Sequence, residues 1–524
     1  MMNPIAAVRP LPVQVTPAAT SQLNATSQVA STLTQASTQV VLGQQLIGMD
    51  SDIYSAKGTL QNISSRYVWE APGVDKLSQY MAAAIQSGST SARFQGLGAA
   101  LMAQLAANGG ATIAQSGLLV NDASAPNPLI LGLQQSGLRE YASNSITFSL
   151  TTASGATVTL GLYSSEQGLA VNAQVQGGTL NAKELDGLAA LAGSFQSAIN
   201  GLTQEPPSLQ LGALVKLDPT LFTGLQLDAQ LVTSSGEPQT FELRLDDQTR
   251  SLKLQGPSGE VKMSFDTQGG ELLGSQAMRQ AALANYLNQF DAAQQRGHGD
   301  KQLMGLFKDA FSQLNSVDDN HTRPANSAVA LNKNSRLLLS GLADFNASIS
   351  QPTKQPNPLK PEEADGFSYQ ASQSTRIDTD PNLRVEQQQQ ANLRAAWHEG
   401  LNPGMDLQLT RDNESQNYRY HEVNDQSNST TRLGWRKGVM TDASVSQQAT
   451  QKERVRTYQK GIETSDLNNK TSSSKDRDLL GVLDTLLRQD REAQRIGVQS
   501  TLERQVADLS RLWLLQSTSA LIEN

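Results

Sequence analysis

The sequence has no cysteine, only four histidines and few aromatic residues. Without cysteine, the chain can form no disulfide, no thiolate metal site and no cysteine nucleophile. Aromatic residues make up 5% and hydrophobic residues 38% of the 524 residues, so we expect folded segments separated by disordered ones. At roughly 100–200 residues per domain, a chain of this length forms about two to four folded units.

Long apolar runs are missing as well. No stretch of about 18 apolar residues occurs, so we predict a soluble protein without a transmembrane span. Near the N-terminus, Pro10 and Pro12 interrupt the apolar run that a Sec signal peptide would need. We therefore expect the protein either in the cytoplasm or exported without a cleaved Sec signal.

The first 45 residues contain almost no charge. They are rich in Ser, Thr, Gln and Ala, and Arg9 is the only charged residue before Asp50. Such a segment buries too little apolar surface to fold, which predicts a disordered leader over residues 1–45. Its composition is similar to that of the export leaders of type III and flagellar secretion substrates. A plain disordered tail is the alternative interpretation.

The whole chain is mildly acidic, with a formal net charge of −8 and 17% charged residues. This balance argues against nucleic acid as a partner, because binding phosphates requires a dense basic face. One basic stretch, from Lys452 to Arg456, is short and interrupted by Glu453. It is either a solvated strand or turn, or a small anion-binding patch.

The middle of the chain carries the clearest folding signal. Between Ile146 and Phe265, apolar residues alternate with polar ones in short runs that end at turn residues, which is typical of antiparallel strands with one buried face. Between the two sets of runs, Asn181 and Glu184 have the spacing of a helix capping box. The sequence thus predicts an α+β fold in which antiparallel β meanders pack with helices, over residues 140–315. Whether the two meanders share one sheet stays open.

Helices and polar segments are predicted on both sides of this domain. Residues 50–135 are predicted to be helical, 316–366 to be a linker with four prolines near its end, and 367–465 to be a strand-rich polar region. Residues 475–524 are predicted to form C-terminal helices, the longer one from Arg495 to Leu521. Because this helix is amphipathic, we expect it to pack on the protein or to bind a protein partner.

The sequence contains only incomplete versions of two motifs that bind cofactors or metals. Gly96 and Gly98 begin a dinucleotide fingerprint, but the third glycine and the preceding strand are missing, so a dehydrogenase is unsupported. Asp378, Asp380 and Asn382 begin a calcium-loop pattern, but the residues that follow lack the glycine and the twelfth-position glutamate. We predict helix packing at the glycines and a polar turn at the carboxylates, and no cofactor or metal.

Motifs for catalysis fail too. None of His298, His321, His398 and His421 has a histidine partner at helical spacing, so no zinc helix is predicted, and His398 is interpreted as the end of a helix. The sequence around Ser258 lacks the last glycine of a nucleophile elbow and is interpreted as a hairpin turn. Adjacent carboxylate pairs are expected on the surface, as at 246–247, 318–319 and 362–363. No catalytic residue is predicted.

Several blocks of sequence resemble an uncharacterised family of large gamma-proteobacterial proteins. The blocks are STQVVLG (37–43), YSAKG (54–58), RYVWE (66–70), SARFQGLG (91–98) and SGATVTL (154–160). This resemblance implies a bacterial origin and brings no activity, cofactor or site residues. Together with the leader, the meanders and the terminal helix, it favours a non-enzymatic interaction or structural protein. The alternative is an enzyme whose site is assembled from scattered residues.

Overall fold

The computed structural model describes residues 66–71, 75–120, 127–247, 249–266, 273–319, 336–402, 404 and 406–523. The predicted leader, residues 1–45, lies outside the described residues. The described elements belong to a compact unit spanning Met49–Asn524. Within it, the described strands form one antiparallel sheet of 15 strands that packs with helices, which confirms the predicted α+β class.

The strands are β1 (Arg66–Trp69), β2 (Ile113–Val120), β3 (Asn144–Thr152), β4 (Thr157–Ser165), β5 (Gly168–Gln176), β6 (Phe222–Val232), β7 (Pro238–Leu245), β8 (Thr249–Gly256), β9 (Gly259–Asp266), β10 (Phe345–Ser350), β11 (Gly366–Asp378), β12 (Arg384–Gly400), β13 (Tyr418–Arg436), β14 (Val439–Gln459) and β15 (Ile462–Asp478). The helices are α1 (Lys76–Ala84), α2 (Thr90–Phe94), α3 (Leu97–Ala107), α4 (Pro128–Glu140), α5 (Ala182–Leu202), α6 (Gln276–Arg296), α7 (Lys301–Asn315), α8 (Leu480–Arg495), α9 (Leu502–Leu509) and α10 (Ser519–Glu523).

The two predicted meanders share this single sheet. The strand order is β1-β2-β5-β4-β3-β6, and from β6 to β15 each strand pairs with the next in the chain. Strand β3 joins the two meanders, because Leu150 pairs with Val158 of β4 on one side and with Leu225 of β6 on the other. The question that the sequence left open is therefore answered by the pairing of β3 with β6.

One face of the sheet, called the inner face here, holds the main core. Alternating apolar residues put their side chains there, and helices cover them. Phe195 of α5 packs on Phe148 of β3 with ring centroids 4.7 Å apart, and Phe311 of α7 packs on Phe345 of β10 at 4.9 Å. The predicted capping box at Asn181 is confirmed and begins α5.

Two segments contain strands that the sequence analysis did not predict. Strand β10 lies within the predicted linker 316–366 and pairs with both β9 and β11. Strands β1 and β2 lie within the predicted helical segment 50–135 and pair with each other. Strands β1 and β10 are short, with four and six residues, and neighbouring helical patterns or prolines dominate the sequence around all three strands.

The predicted long helix over Arg495–Leu521 is wrong. Helix α9 ends at Leu509, and after a short 3₁₀ turn the chain crosses the inner face without helical structure. Side chains of the sheet bind the main chain of this C-terminal segment, defined here as residues 513–517: Gln447 Nε2 donates to the Leu514 carbonyl (2.7 Å), and the Leu515 amide donates to Gln389 Oε1 (2.9 Å). These hydrogen bonds replace those that a helix would provide.

The opposite face of the sheet, called the outer face here, is covered at one end by α4. Leu138 of α4 packs on Leu118 and Ala170, while Leu129 and Leu133 on the same helix are exposed. None of the helices that the structure describes is long and apolar enough to cross a membrane.

Candidate functional site

A second, smaller core lies on the outer face of β12, β13 and β14. Tyr418, Tyr420 and Tyr458 are buried there, beneath the segment 351–365 that connects β10 to β11. An isolated bridge between Lys354 and Asp365 closes this segment on itself. The strands place the side chains because alternate residues of a strand point to the same face.

Glu363 lies at the centre of this core. Its side chain is 0% exposed, accepts a hydrogen bond from the Tyr418 hydroxyl (2.6 Å), and lies 3.2 Å from Nη1 of Arg456. Burial alone would raise the pKa of Glu363, but contacts with His398, Tyr418 and Tyr458 outweigh it and lower the pKa to about 2. Glu363 is therefore a charged carboxylate whose Oε2 accepts a hydrogen bond from Tyr418 and whose Oε1 forms an ion pair with Arg456 without hydrogen-bond alignment.

His398 lies between two carboxylates. Nδ1 is 2.6 Å from Asp365 Oδ1, and Nε2 is 3.4 Å from Glu363 Oε2, an ion pair without hydrogen-bond alignment. Burial lowers the pKa of His398, but the contacts with Asp365 and Glu363 outweigh this effect and raise it above 6.5. The two carboxylates thus favour the imidazolium form of the ring, whose side chain is 1% exposed.

Aromatic and amide groups surround these charged residues. We call the whole set the Glu363–His398 cluster; its members are Asn357, Lys360, Glu363, Asp365, His398, Tyr418, Arg456 and Tyr458. Asn357 donates to the Tyr418 hydroxyl (2.9 Å), and Nζ of Lys360 lies 3.4 Å from the centroid of the Tyr458 ring. Burial first, and then the neighbouring Glu363 carboxylate, raise the pKa of Tyr418 above its ordinary value. These contacts fasten the segment 351–365 to the sheet.

An open groove of about 710 Å³ adjoins the cluster on the outer face. The residues of this outer groove that matter here are Ser350, Ser368, Arg394, Asn424, Lys452 and Arg454. Its wall includes Ala364, which lies in the chain between the two carboxylates of the cluster, the buried Glu363 and the half-buried Asp365. The cluster thereby fixes one side of the outer groove.

Beyond the outer groove, the outer face carries two rows of uncharged polar side chains, called the polar rows here. Each row crosses all six strands from β10 to β15 in register. One row is Ser348, Gln370, Asn392, Gln426, Thr450 and Ser472, and the other is Asn346, Ser372, Gln390, Asn428, Gln448 and Ser474. All twelve residues are exposed or half-buried.

The motif residues from the sequence lie apart from one another. Asp378 is at an exposed strand end, and no group of three or more potential metal ligands occurs among the described residues. Gly256 and Gly259 close the β8–β9 hairpin, as predicted for the turn around Ser258. Gly96 precedes α3 with a positive φ of 75°.

The interpretation of His398 as a helix end is wrong, because His398 lies within β12. Its neighbour Trp397 points to the inner face, where the rings of His298 and His421 stack on its two sides with centroids 4.2 and 4.7 Å away. His321 lies outside the described residues. The expectation of surface positions also fails for Glu363, which is buried, while Glu362 is exposed.

Sequence reasoning missed the cluster because its members come from distant positions. The signal for the polar rows was present, since every second residue from Gln388 to Arg394 is polar or charged. No protein-family model, curated protein or solved structure matches this chain. Membership of the gamma-proteobacterial family therefore stays a prediction.

Proposed function

We propose that this is a non-enzymatic, bacterial interaction protein that binds an extended, hydroxyl-rich polymer, a glycan, on the outer face of β10–β15. The observation that carries the proposal is the pair of polar rows. Each side chain in them is an amide or a hydroxyl, a group that can both donate and accept hydrogen bonds. Such an array matches the hydroxyl groups of a glycan chain laid across the strands.

The chemistry of the polar rows favours a glycan over a folded protein. Protein interfaces have an apolar, aromatic-rich centre, whereas the polar rows contain no apolar side chain. Strands lie about 4.8 Å apart, and residues on one face repeat every 6.8 Å or so along a strand. An extended polymer crossing the strands would therefore meet a new polar group at every strand.

Binding of a panel of soluble glycans, followed by calorimetry, tests this proposal. We expect Asn392→Ala with Gln426→Ala, in the centre of one polar row, to weaken binding, while the exposed Gln255→Ala on β8 leaves it unchanged. Binding that is unaffected by the row variant, or absent for every glycan, would reject the proposal.

An enzyme is the second candidate, and the Glu363–His398 cluster is the observation that favours it. Asp365 is its most accessible carboxylate, with a side chain 29% exposed beside the outer groove. If the cluster were catalytic, Asp365→Asn would abolish turnover of a bound glycan without weakening its binding. Intact glycan recovered after long incubation with the wild-type protein would reject this candidate.

The C-terminal region remains a proposed contact for a protein partner. Trp513 and Leu515 are buried within the protein itself, but Ile496 and Val498 are exposed at the end of α8 and beyond it. We expect Ile496→Glu with Val498→Glu to abolish complex formation in the native cell. Unchanged co-purifying proteins would reject this contact.

We also propose that the protein is exported without a cleaved Sec signal. The Ser-, Thr-, Gln- and Ala-rich composition of residues 1–45 supports this, because it is similar to that of known export leaders. Mass spectrometry of culture supernatant against lysate tests it, because a protein found only in the lysate is not exported.

A further inference from the structure

We infer that the glycan is acidic and that its carboxylate or sulfate groups bind in the outer groove, at Arg394 and Lys452. The inference rests on the proposed function and specifies the ligand class of the same face. It also assigns a role to the basic stretch from Lys452 to Arg456, one of whose two interpretations was an anion-binding patch.

The cations of the outer groove differ in their partners. Arg454 pairs with Asp466 (2.8 Å), and Glu422 is shared by Arg454 and Arg456. Arg394 and Lys452 are both exposed, and neither side chain forms an ion pair with a residue that the structure describes. The groove thus holds two cations whose charge is not neutralised by the protein, and this excess selects an anionic ligand.

These two cations are continuous with the polar rows. Arg394 lies two residues beyond Asn392 on β12, and Lys452 lies two residues beyond Thr450 on β14, so each is the next residue on the outer face. Across the strands, Ser368, Arg394 and Asn424 lie in register. A polymer that contacts the polar rows through hydroxyls can therefore place an acidic substituent in the groove.

The Glu363–His398 cluster holds the wall of the groove in place. Ala364 and Gly366 line the groove. Their chain neighbours Glu363 and Asp365 both contact the His398 ring, which holds this part of the chain against the sheet. A preformed wall lowers the entropic cost of binding a flexible chain.

An acidic glycan fits this surface better than a nucleic acid. Single-stranded nucleic acids are bound by aromatic side chains that stack on bases, and the polar rows contain none. The two unneutralised cations are also too few for a run of phosphates, in a chain whose net charge is −8.

Calorimetric titration of the full-length protein with polygalacturonate, dextran sulfate, neutral dextran and single-stranded DNA tests the inference. We expect one or both acidic glycans to bind more tightly than dextran and DNA, and salt to weaken that binding. Arg394→Gln with Lys452→Gln should weaken acidic-glycan binding at least about tenfold. The charge-preserving pair Arg394→Lys with Lys452→Arg should retain most of it.

Arg432→Gln is the matched control, because Arg432 lies on the same outer face of β13 but pairs with Glu386 (2.9 Å) away from the groove. Equal binding of dextran and the acidic glycans, with no loss in the Gln pair, would overturn the inference and leave the proposed function standing. Binding of DNA as tight as that of the acidic glycans would overturn it as well, as would an equal loss in Arg432→Gln. If no glycan binds, the inference and the proposed function both fail.

Discussion

At the scale of single residues, the main finding is a buried carboxylate between cationic and hydroxyl groups. Glu363 is 0% exposed, and its neighbour Glu362 faces solvent, although the two are adjacent and chemically identical. A buried charge is tolerated only where partners replace water, and Tyr418, Arg456 and His398 do so here. The polar contacts of the cluster thus hold the segment 351–365 against the sheet.

Removing the Glu363 carboxylate should destabilise the protein. Glu363→Ala leaves Arg456 and His398 without their shared anion, so we expect the free energy of unfolding to fall by about 3 kcal/mol, as for other broken buried pairs. Glu362→Ala should change it by less than about 0.5 kcal/mol, because Glu362 is exposed. Urea unfolding of both variants checks this, and equal effects would contradict the fastening role.

The cluster should also make stability depend on pH. The pKa of His398 is raised above 6.5 in the folded protein, so its contribution is fully present below pH 6.5 and is lost as pH rises through the raised value. The pKa of Glu363 is lowered from 4.5 to about 2, so its contribution is present above pH 4.5 and is lost as pH falls toward 2. The combined effect is therefore greatest between these two limits.

Comparing wild-type protein with His398→Gln tests the histidine part of this expectation. The difference in their free energies of unfolding should be largest below pH 6.5 and should shrink at alkaline pH. A difference that is constant across this range would show that the charge of His398 contributes nothing.

At the scale of elements, the C-terminal segment shows how polar strands can hold an irregular chain. Buried Gln389, Gln447 and Ser429 on the inner face bind its main chain, with Ser429 Oγ donating to the Trp513 carbonyl (2.7 Å). Trp513 and Leu515 are buried in the main core, and the Leu515 carbonyl accepts a hydrogen bond from Asn285 of α6 (2.9 Å). The same residues at helical spacing suggested an amphipathic helix, but the partners for their main chain come from the sheet.

Gln389→Ala should loosen this segment. It leaves the buried Leu515 amide without an acceptor, which costs about 1–3 kcal/mol, so hydrogen exchange over residues 513–517 should accelerate. Gln388→Ala is the control, because Gln388 is the adjacent, half-buried residue on the outer face. Equal exchange in both variants would mean that side chains of the sheet do not retain the segment.

At the scale of the whole molecule, β10 makes the sheet continuous. Ala347 of β10 is 0% exposed and pairs with Met263 of β9 and Ala371 of β11. The two sides of the sheet therefore share one ladder of main-chain hydrogen bonds, although the sequence around β10 has the composition of a linker.

Ala347→Pro should weaken both neighbouring strands, since proline removes a donor and clashes within a central strand. We expect a loss of about 3 kcal/mol or more in the free energy of unfolding, and faster hydrogen exchange in both β9 and β11. Gln355→Pro, in the exposed segment between Pro352 and Pro356, is the control and should change little. If the amides of either β9 or β11 keep their protection from hydrogen exchange in Ala347→Pro, the sheet is built from two independent halves.

The sequence by itself determined the elements whose signals are local. The alternation between Ile146 and Phe265, the capping box at Asn181 and the polar strands after residue 366 all specify local structure, because side-chain period and capping depend only on near neighbours. Tertiary structure alone decided that the meanders share one sheet, that β10 belongs to it and that residues 513–517 are not helical. It also decided the candidate site, since strand register aligns His398 with Tyr420 and places Arg394 beside Asn424, and the segment 351–365 then folds over these strands to bring in Glu363, which no local pattern encodes.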